Sequence, residues 1–286
     1  MLGHQVCRHF TTLGKTFASV KSNSDLAFAK VNLPGVEILS GVDAMDYQSV
    51  RNCLNHVQPQ VVVNCIGIIK QDALAKNPIS SITVNALLPH LLSQQCAEIG
   101  ARFIQISTDC VFCGANGNYS ELDLPDATDL YGRTKLLGEV TDSRALTLRT
   151  SIIGTELRSS RSLLDWFLSQ EAAVDGYVNA IFSGLTTFEL SRVIGRCIMD
   201  WPELKGLYNV SAEPISKHEL LLLLRERFGI DTEIRPVDEP RIDRSLDSTR
   251  FREITGYQPP SWNEMTSELA AQQQASPIGV NYVSSR

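Results

Sequence analysis

The stretch VVVNCIG (61–67) is apolar over most of its length and does not alternate between apolar and polar residues. Such a run is typical of a strand buried on both faces, as in a parallel sheet that helices cover on each side. TFASV (16–20) and VEIL (36–39) precede it, and RFIQIS (102–107) and ALTLR (145–149) follow it. Because longer segments with helical periodicity separate these runs, the sequence predicts an α/β fold with a doubly wound parallel sheet.

Two of the separating segments carry clear helix signals. DYQSVRNCLNHV (46–57) repeats its apolar residues at spacings of three and four. The segment 77–100 has Pro78 at a first-turn position and Gly100 as a stop. Pro89 lies inside this segment, and we expect a kink there because proline has no amide hydrogen to donate.

The alternation of strands and helices loosens after about residue 150. The expected elements there are a helix near 160–171, a strand at 206–210, a helix at 216–228, a short strand near 232–236 and a terminal helix that carries a tryptophan. We predict a larger domain over 1–150, a smaller mixed α/β lobe over 151–274 that is interleaved with it, and a loose tail over 275–286.

Composition excludes several classes of partner. The chain has 286 residues, 43% hydrophobic and 20% charged, with a formal net charge of −6 and scattered Lys and Arg. This distribution argues against nucleic acid or a membrane surface as a partner. No apolar run approaches the roughly 20 residues of a membrane helix, and the start shows no signal-peptide pattern. We therefore expect a cytoplasmic protein.

The cysteines do not form a recognisable framework. They number seven and are irregularly spaced, which indicates reduced thiols. Cys110 and Cys113 form a C-x-x-C pair, but a redox pair needs its first cysteine at an exposed helix N-terminus, whereas this pair follows an apolar strand. The five histidines and the cysteines lack zinc spacings, so we predict no metal site.

Tyr131 and Lys135 are four residues apart in a predicted helix and therefore share one face. A tyrosine with its ordinary pKa near 10 is a poor acid or base at neutral pH. We expect the Lys135 ammonium to lower that pKa by stabilising the phenolate. Ser107 and Thr108 end the preceding strand. A Y-x-x-x-K spacing alone usually marks a surface pair, but here the groups should converge on the edge where doubly wound folds bind ligands.

The run ISTDCVFCGANGNYSELDLPDATDLYGRTKLLGEV (106–140) resembles the extended short-chain dehydrogenase/reductase family, and within it the dTDP-4-dehydrorhamnose reductase branch. The resemblance extends over most of the chain, through VNALLP (84–89), LTLRTSIIG (146–154) and the segment that contains RSLDSTRF and GYQPPSW (244–262). It implies a Rossmann-like dinucleotide-binding domain over 1–150 and a substrate-binding lobe over 151–274.

The resemblance also implies a reaction. Thr108, Tyr131 and Lys135 match the catalytic set, in which hydride from the nicotinamide reduces a 4-keto group on a nucleotide-linked deoxy sugar. The product would serve surface polysaccharide synthesis. Two alternatives stay open, namely a sugar-nucleotide epimerase and a non-catalytic regulatory subunit that binds a dinucleotide or a partner enzyme. A homodimer is compatible with each of them.

Several positions match cofactor-binding residues of the family. They are Gly3, Lys21, Ser22, Asp43, Asn64, Cys65, Ile66, Gly67, Ser107, Tyr131 and Lys135. Because Lys21 and Ser22 follow the first predicted strand and no acid precedes Asp25, NADPH is favoured and NADH is the alternative. Asp43 would lie beside the adenine or serve as a turn residue. Asn85 would support the active-site strand.

Family members begin with a strand and a G-x-x-G-x-x-G loop, of which only MLGH matches here, with Gly3 at the third glycine. We expect the sequence to begin at an internal methionine. The alternative is a protein that has lost the glycines that let the backbone approach a pyrophosphate.

The residues on the substrate side bear on the reaction and on the identity of the sugar. The related 4,6-dehydratases carry an Asp-Glu pair after the threonine, whereas Asp109 is followed by Cys110, so dehydration is disfavoured. Ile152 replaces an aromatic residue of the reductase branch, which leaves the identity of the sugar open. We assign Thr108, Asp109, Ser151, Arg241 and Arg244 to substrate binding. The two arginines could contact a diphosphate or pair with neighbouring acids.

Overall fold

The computed structural model describes residues 1–142, 144–157 and 160–275. The predicted tail therefore lies outside the described residues from position 276 onward. The strands are β1 (Phe17–Ser19), β2 (Glu37–Leu39), β3 (Val61–Asn64), β4 (Arg102–Thr108), β5 (Ala145–Thr150), β6 (Ile152–Ile153), β7 (Val174–Tyr177), β8 (Ala180–Phe182), β9 (Leu185–Thr186), β10 (Gly206–Asn209), β11 (Ile215–Ser216), β12 (Ile234–Val237) and β13 (Ile242–Asp243).

The helices lie before, between and after these strands. They are α1 (Leu2–Phe10), α2 (Asn23–Asn32), α3 (Tyr47–Val57), α4 (Pro78–Ser81), α5 (Leu88–Ile99), α6 (Leu130–Leu137), α7 (Leu163–Leu168), α8 (Thr187–Met199), α9 (Lys217–Phe228), α10 (Thr249–Thr255) and α11 (Trp262–Ala275). A π-helical turn (Ile82–Leu87) joins α4 to α5, and 3₁₀ turns span Ala73–Lys76 and Asp109–Val111.

The main sheet has four parallel strands in the order β10-β5-β4-β3. Its centre is buried on both faces, because Phe103 and Ile104, neighbours in β4, belong to two different hydrophobic clusters. One cluster continues into α8 and the C-terminal half, and the other into α3 and α5. The predicted doubly wound α/β fold is confirmed. A separate parallel pair, β1 with β2, shares no ladder with this sheet among the described residues.

The two halves of the chain are interleaved at the sheet edge. β10 comes from the C-terminal half and pairs in parallel with β5, where Gly206 lies opposite Leu146. The same half forms a small sheet in the order β11-β8-β13, together with the pairs β12-β7 and β6-β9. Strand β8 therefore lies at the centre of the small sheet, between β11 and β13.

The helical segment predicted over 77–100 forms, with its interruption around Pro89. A π-helical turn precedes α5, and Pro89, near the start of α5, cannot donate the hydrogen bond that a regular helix would require. Gly138 packs against this turn so closely that a Cβ there would lie 1.9 Å from the Asn85 carbonyl oxygen. A glycine at position 138 thus lets α6 approach the turn.

Candidate functional site

The predicted catalytic residues meet at the carboxyl end of β4. Thr108 is the last residue of this strand, and Tyr131 and Lys135 share a face of α6, which begins after the N-cap Asp129. Asp129 accepts a hydrogen bond of 3.0 Å from the Gly132 amide. A Cβ on Gly132 would lie 2.3 Å from the Cys110 carbonyl oxygen. The glycine therefore brings α6 against the turn that follows Thr108.

Burial governs the protonation of the tyrosine and lysine. It raises the pKa of Tyr131 well above the ordinary tyrosine value, and the Thr108 hydroxyl offsets this only in part. It lowers the pKa of Lys135 to about 8. The Lys135 ammonium donates to the Ile106 carbonyl oxygen at 2.7 Å. The prediction that Lys135 lowers the tyrosine pKa is therefore wrong, because desolvation of the phenolate is the larger effect.

A buried ion pair supports this face of the site. Glu139 accepts two hydrogen bonds from Arg149, both 2.7 Å long, and the side chains are only 6% and 4% exposed, respectively. Ser107 donates to the same carboxylate at 2.6 Å. Glu139 also raises the pKa of Lys135 through its charge. The Ser107 hydroxyl is thus committed to Glu139, whereas the sequence places it at the cofactor.

Sequence reasoning did not identify this network. Glu139 follows Lys135 by four residues but lies beyond Leu137, the last residue of α6, so helical spacing gave no signal for this contact. Arg149 ends a predicted strand beside the one that carries Ser107 and Thr108, and the two strands pair with Ser107 opposite Arg149. Only the strand pairing brings the arginine to the glutamate.

Asp109 and two cations from the C-terminal half lie beside Thr108. Asp109 is buried and accepts from the Thr108 hydroxyl at 3.0 Å, and burial raises its carboxyl pKa. Lys217 and Arg244 act in the opposite direction through their charges. Arg244 donates to the carbonyl oxygens of Phe112 (2.8 Å) and Cys113 (3.2 Å). Lys217 was not singled out from the sequence.

The C-x-x-C pair contacts this turn as two free thiols. Burial raises the pKa of Cys110 to about 12, which disfavours the thiolate that redox chemistry requires. Cys113 donates its thiol hydrogen to Asp126, with a sulfur–oxygen distance of 2.8 Å, and its amide donates to the same carboxylate.

The predicted adenosine-side residues meet where β1 and β2 end. Lys21 and Asp43 form an ion pair of 2.8 Å, and this hydrogen bond lowers the Asp43 pKa. Ser22 is the N-cap of α2 and forms a reciprocal capping box with Asp25. Its hydroxyl donates to the Asp25 carboxylate at 2.6 Å. The Ser22 side chain therefore has a structural task, whereas Lys21 and Asp43 pair with each other.

The loop after β3 is held by buried amides. Asn64 donates to Gln105 at 2.9 Å and accepts from the Ile66 amide at 3.1 Å. Asn85 accepts from the amide of Ile68 at 2.8 Å and donates to its carbonyl oxygen at 2.9 Å. These bonds fix the loop that contains Cys65, Ile66 and Gly67. Asn85 thus holds the loop after β3, whereas the sequence was interpreted as placing it in support of the active-site strand.

Gly3 lies in α1, against the end of β3. A Cβ on Gly3 would lie 3.6 Å from the Cys65 Cβ, an ordinary van der Waals contact. Packing alone does not require a glycine there. Burial raises the pKa of the Cys65 thiol to about 12.

The remaining substrate-side residues are divided. Ser151 follows β5 directly, and its carbonyl oxygen accepts from Leu185 at 2.9 Å. Arg241 is 70% exposed and pairs with Glu239 at 3.4 Å, which was the alternative that the sequence left open. Of the two predicted arginines, Arg244 is therefore the one joined to the segment that follows Thr108.

These residues fit a nicotinamide dinucleotide at both ends. The Lys135 ammonium has one hydrogen-bond acceptor among the described residues, so two of its three hydrogens are available to a ribose. At the other end, Lys21 and Asp43 offer a cation and an acceptor. In the described ranges, no cluster of His, Cys, Asp and Glu could hold a metal ion. Within those ranges no helix has the length and apolarity needed to cross a membrane.

Comparison with known proteins places this geometry in a family. The sequence profile of the RmlD substrate binding domain matches residues 1–275. Methionine adenosyltransferase 2 subunit beta of Rattus norvegicus is 28% identical over 216 residues, which is 70% of this chain and 65% of that protein. The chain thus spans slightly less than two thirds of that relative. Spore coat polysaccharide biosynthesis protein SpsK of Bacillus subtilis is 29% identical over 245 residues, 78% of this chain and 83% of SpsK.

Solved structures share the fold. The dTDP-4-dehydrorhamnose reductase of Bacillus anthracis, in complex with NADP, matches with a TM-score of 0.75 and 18% identity over 91% of this chain and all of that one (100%). WbmG of Bordetella bronchiseptica, in complex with NAD, matches with a TM-score of 0.78 and 14% identity over 98% of this chain and 92% of WbmG. At these identities the likeness establishes the fold alone. The profile match over residues 1–275 shows that the chain belongs to the RmlD substrate binding domain family.

Proposed function

We propose that the chain is an NAD(P)H-dependent reductase of a keto group on a nucleotide-linked sugar. The observation that carries this proposal is the meeting of Thr108, Tyr131 and Lys135 at the carboxyl end of β4. Membership of the RmlD substrate binding domain family and the shared fold with a dTDP-4-dehydrorhamnose reductase support it. The lobe that follows residue 150 would bind the nucleotide-linked sugar.

A reduced dinucleotide bound along Lys21, Asp43 and the 64–67 loop would supply the hydride. Tyr131 donates its phenolic proton to the oxygen of the reduced carbonyl. Its raised pKa suits this role, because the phenol stays protonated at neutral pH until the far more basic alkoxide forms. Thr108 donates a hydrogen bond to the same oxygen as charge develops on it. Lys135 hydrogen-bonds the nicotinamide ribose and remains fixed by Ile106.

Two finer features belong to the same proposal. We favour NADPH because the Lys21 ammonium, 68% exposed, is a cation that could contact a 2′-phosphate, with NADH as the alternative. The substrate class is a 4-keto deoxy-sugar nucleotide used in surface polysaccharide synthesis, in keeping with the relative SpsK.

The test follows NADPH oxidation with a 4-keto sugar nucleotide as the substrate. Tyr131→Phe should lower the rate about a hundredfold or more, the usual contribution of a positioned proton donor. Tyr177→Phe, which removes the hydroxyl of a tyrosine in β7 that is 39% exposed, is the matched control and should leave the rate unchanged. Equal rates for the wild type and Tyr131→Phe would contradict the proposed role.

A second function is favoured by one comparison. The relative from Rattus norvegicus is a subunit of methionine adenosyltransferase 2, so a regulatory subunit that binds a dinucleotide without reducing a sugar is the alternative. Recovery of a stoichiometric partner enzyme from the native source, together with absence of keto-sugar reduction, would establish it. The epimerase alternative predicts interconversion of two sugar nucleotides without net oxidation of NADPH.

A further inference from the structure

Lys217 is the most unusual charged residue near the site. It is the first residue of α9, and its ammonium lies 3.9 Å from the centroid of the Phe182 ring. Among the described residues it has no ion pair and no hydrogen bond. A cation at the N-terminus of a helix opposes the helix dipole, and burial adds to this by lowering the Lys217 pKa to about 8. Folding alone therefore does not explain a lysine at this position.

The small sheet places Lys217 near the turn that begins at Asp109. Strand β8 ends at Phe182, with β11 on one side and β13 on the other. Lys217 follows β11 directly, and Arg244 follows β13 directly. Arg244 reaches the carbonyl oxygens of Phe112 and Cys113, which joins this sheet to the turn that begins at Asp109. Two cations of the C-terminal half thus flank the turn.

The two cations share one acid, and Arg244 also interacts through charge with Asp126 and Asp129. Asp109 is the carboxylate that interacts with both Lys217 and Arg244 through charge, and its own burial disfavours ionisation. Phe182 is 4% exposed and presents its ring to the ammonium, so the lysine stem is held in place. Beside Thr108, the Lys217 ammonium thus offers N–H donors that have no hydrogen-bond acceptor among the described residues, and an anionic oxygen group can accept them.

We propose that Lys217 is a substrate-binding residue whose ammonium binds an anionic oxygen group of the nucleotide-linked sugar, beside Asp109 and Thr108. This rests on the proposed function for the identity of the ligand class. The anionic group is either the diphosphate or a carboxylate on the sugar, since both present oxygens of the same chemistry. Lys217 takes no part in proton or hydride transfer. It selects which substrate stays bound.

The test measures binding by calorimetry for the wild type, Lys217→Met, Lys217→Arg and Lys205→Met. Lys205 is exposed, away from the site, and serves as the matched control. The probes are UDP against uridine for the diphosphate, and UDP-glucuronate against UDP-glucose for the carboxylate. Lys217→Met should weaken binding of an anionic probe, relative to its partner in the pair, about tenfold or more, and Lys217→Arg should retain most of it.

The pair that responds identifies the source of the anion. A loss confined to UDP against uridine indicates the diphosphate, and a loss confined to UDP-glucuronate against UDP-glucose indicates the sugar carboxylate. Either result supports the proposal. Unchanged binding in Lys217→Met, or a wild type that binds neither UDP nor UDP-glucuronate, overturns it.

Two further readouts separate this inference from its rivals. Urea unfolding should show Lys217→Met to be at least as stable as the wild type, because it removes a partly buried cation from a helix N-terminus. A large loss of stability would instead mark a structural lysine and overturn the proposal. Turnover of a keto-sugar nucleotide is measured in parallel. If the wild type turns over the substrate and Lys217→Met binds the probes as the wild type does, this inference alone is wrong. If Lys217→Met weakens binding and the wild type shows no turnover, the reductase function alone is wrong.

Discussion

The ion pair between Glu139 and Arg149 should dominate the stability of the catalytic face. Glu139→Ala removes the acceptor of three hydrogen bonds, two from Arg149 and one from Ser107. The Arg149 side chain is 4% exposed and already has one nitrogen, Nη1, without a partner. The substitution therefore leaves a buried cation unpaired, a change that typically costs about 3–5 kcal/mol.

The control is an ion pair of the same chemistry at the surface. Arg196 and Asp200 pair at 3.2 Å on α8, with side chains 46% and 54% exposed. Asp200→Ala should cost no more than about 0.5 kcal/mol, because water and salt screen an exposed pair. Urea denaturation followed by circular dichroism gives both free energies of unfolding. If the free energies of unfolding of Glu139→Ala and Asp200→Ala differ by less than about 1 kcal/mol, the buried ion pair contributes no more stability than a surface pair.

A double replacement distinguishes loss of attraction from the cost of an unpaired charge. Glu139→Met combined with Arg149→Met removes both charges and fills similar volumes. Replacing a buried pair by apolar residues is often neutral or stabilising, so the double variant should recover most of the stability that Glu139→Ala loses. A double variant no more stable than Glu139→Ala would show that the ion pair itself, and not the unpaired arginine, provides the stability.

Three further predictions concern packing, the loop after β3 and pH. Gly138→Ala should destabilise the fold by about 1–3 kcal/mol or more, because its Cβ would lie 1.9 Å from the Asn85 carbonyl oxygen. Gly14→Ala is the control, since a Cβ there has no atom within 4 Å. Thermal melting compares the stability of the two variants. Asn85→Ala leaves the Ile68 amide and carbonyl unpaired and should cost about 1–3 kcal/mol and weaken NADPH binding, measured by urea denaturation and fluorescence titration. Burial lowers the Lys135 pKa from 10.5 to about 8, so between these pH values the unfolded chain holds a proton that the folded chain has lost. The free energy of unfolding should therefore rise with pH in this window, and Lys135→Met should lack that contribution when the two proteins are compared.

Continuous apolar runs made the main sheet predictable. The runs at 102–107 and 145–149 correspond to β4 and β5, since strands buried on both faces leave an unmistakable pattern. The run 61–67 ends as a strand at Asn64, because from there the Asn64 and Asn85 side chains take over the backbone hydrogen bonds of the loop. Strands of two residues, such as β6 and β9, are too short to show a strand periodicity in the sequence.

The site was predictable within one half of the chain and not between the halves. Thr108, Tyr131 and Lys135 follow from a strand end and a helical spacing, both local features. Lys217 belongs to a helix more than a hundred positions from Thr108 in the sequence, and no spacing connects them. The pKa of Tyr131 was mispredicted for a related reason. The sequence shows a neighbouring lysine, whereas the burial that outweighs it comes from the folded surroundings.

The protonation of the site bears on which of the related reactions it suits. Reduction of a ketone needs an acid at the moment hydride arrives, whereas an epimerase that begins by oxidising its substrate, or a dehydratase, must first abstract a proton. Burial raises the pKa of both Tyr131 and Asp109, a direction that favours the protonated form of each group. Cys110, which follows Asp109, is also kept protonated by burial. Because the pKa values of Tyr131, Asp109 and Cys110 all shift upward, these three groups are suited to proton donation, which supports reduction over the epimerase and dehydratase chemistries.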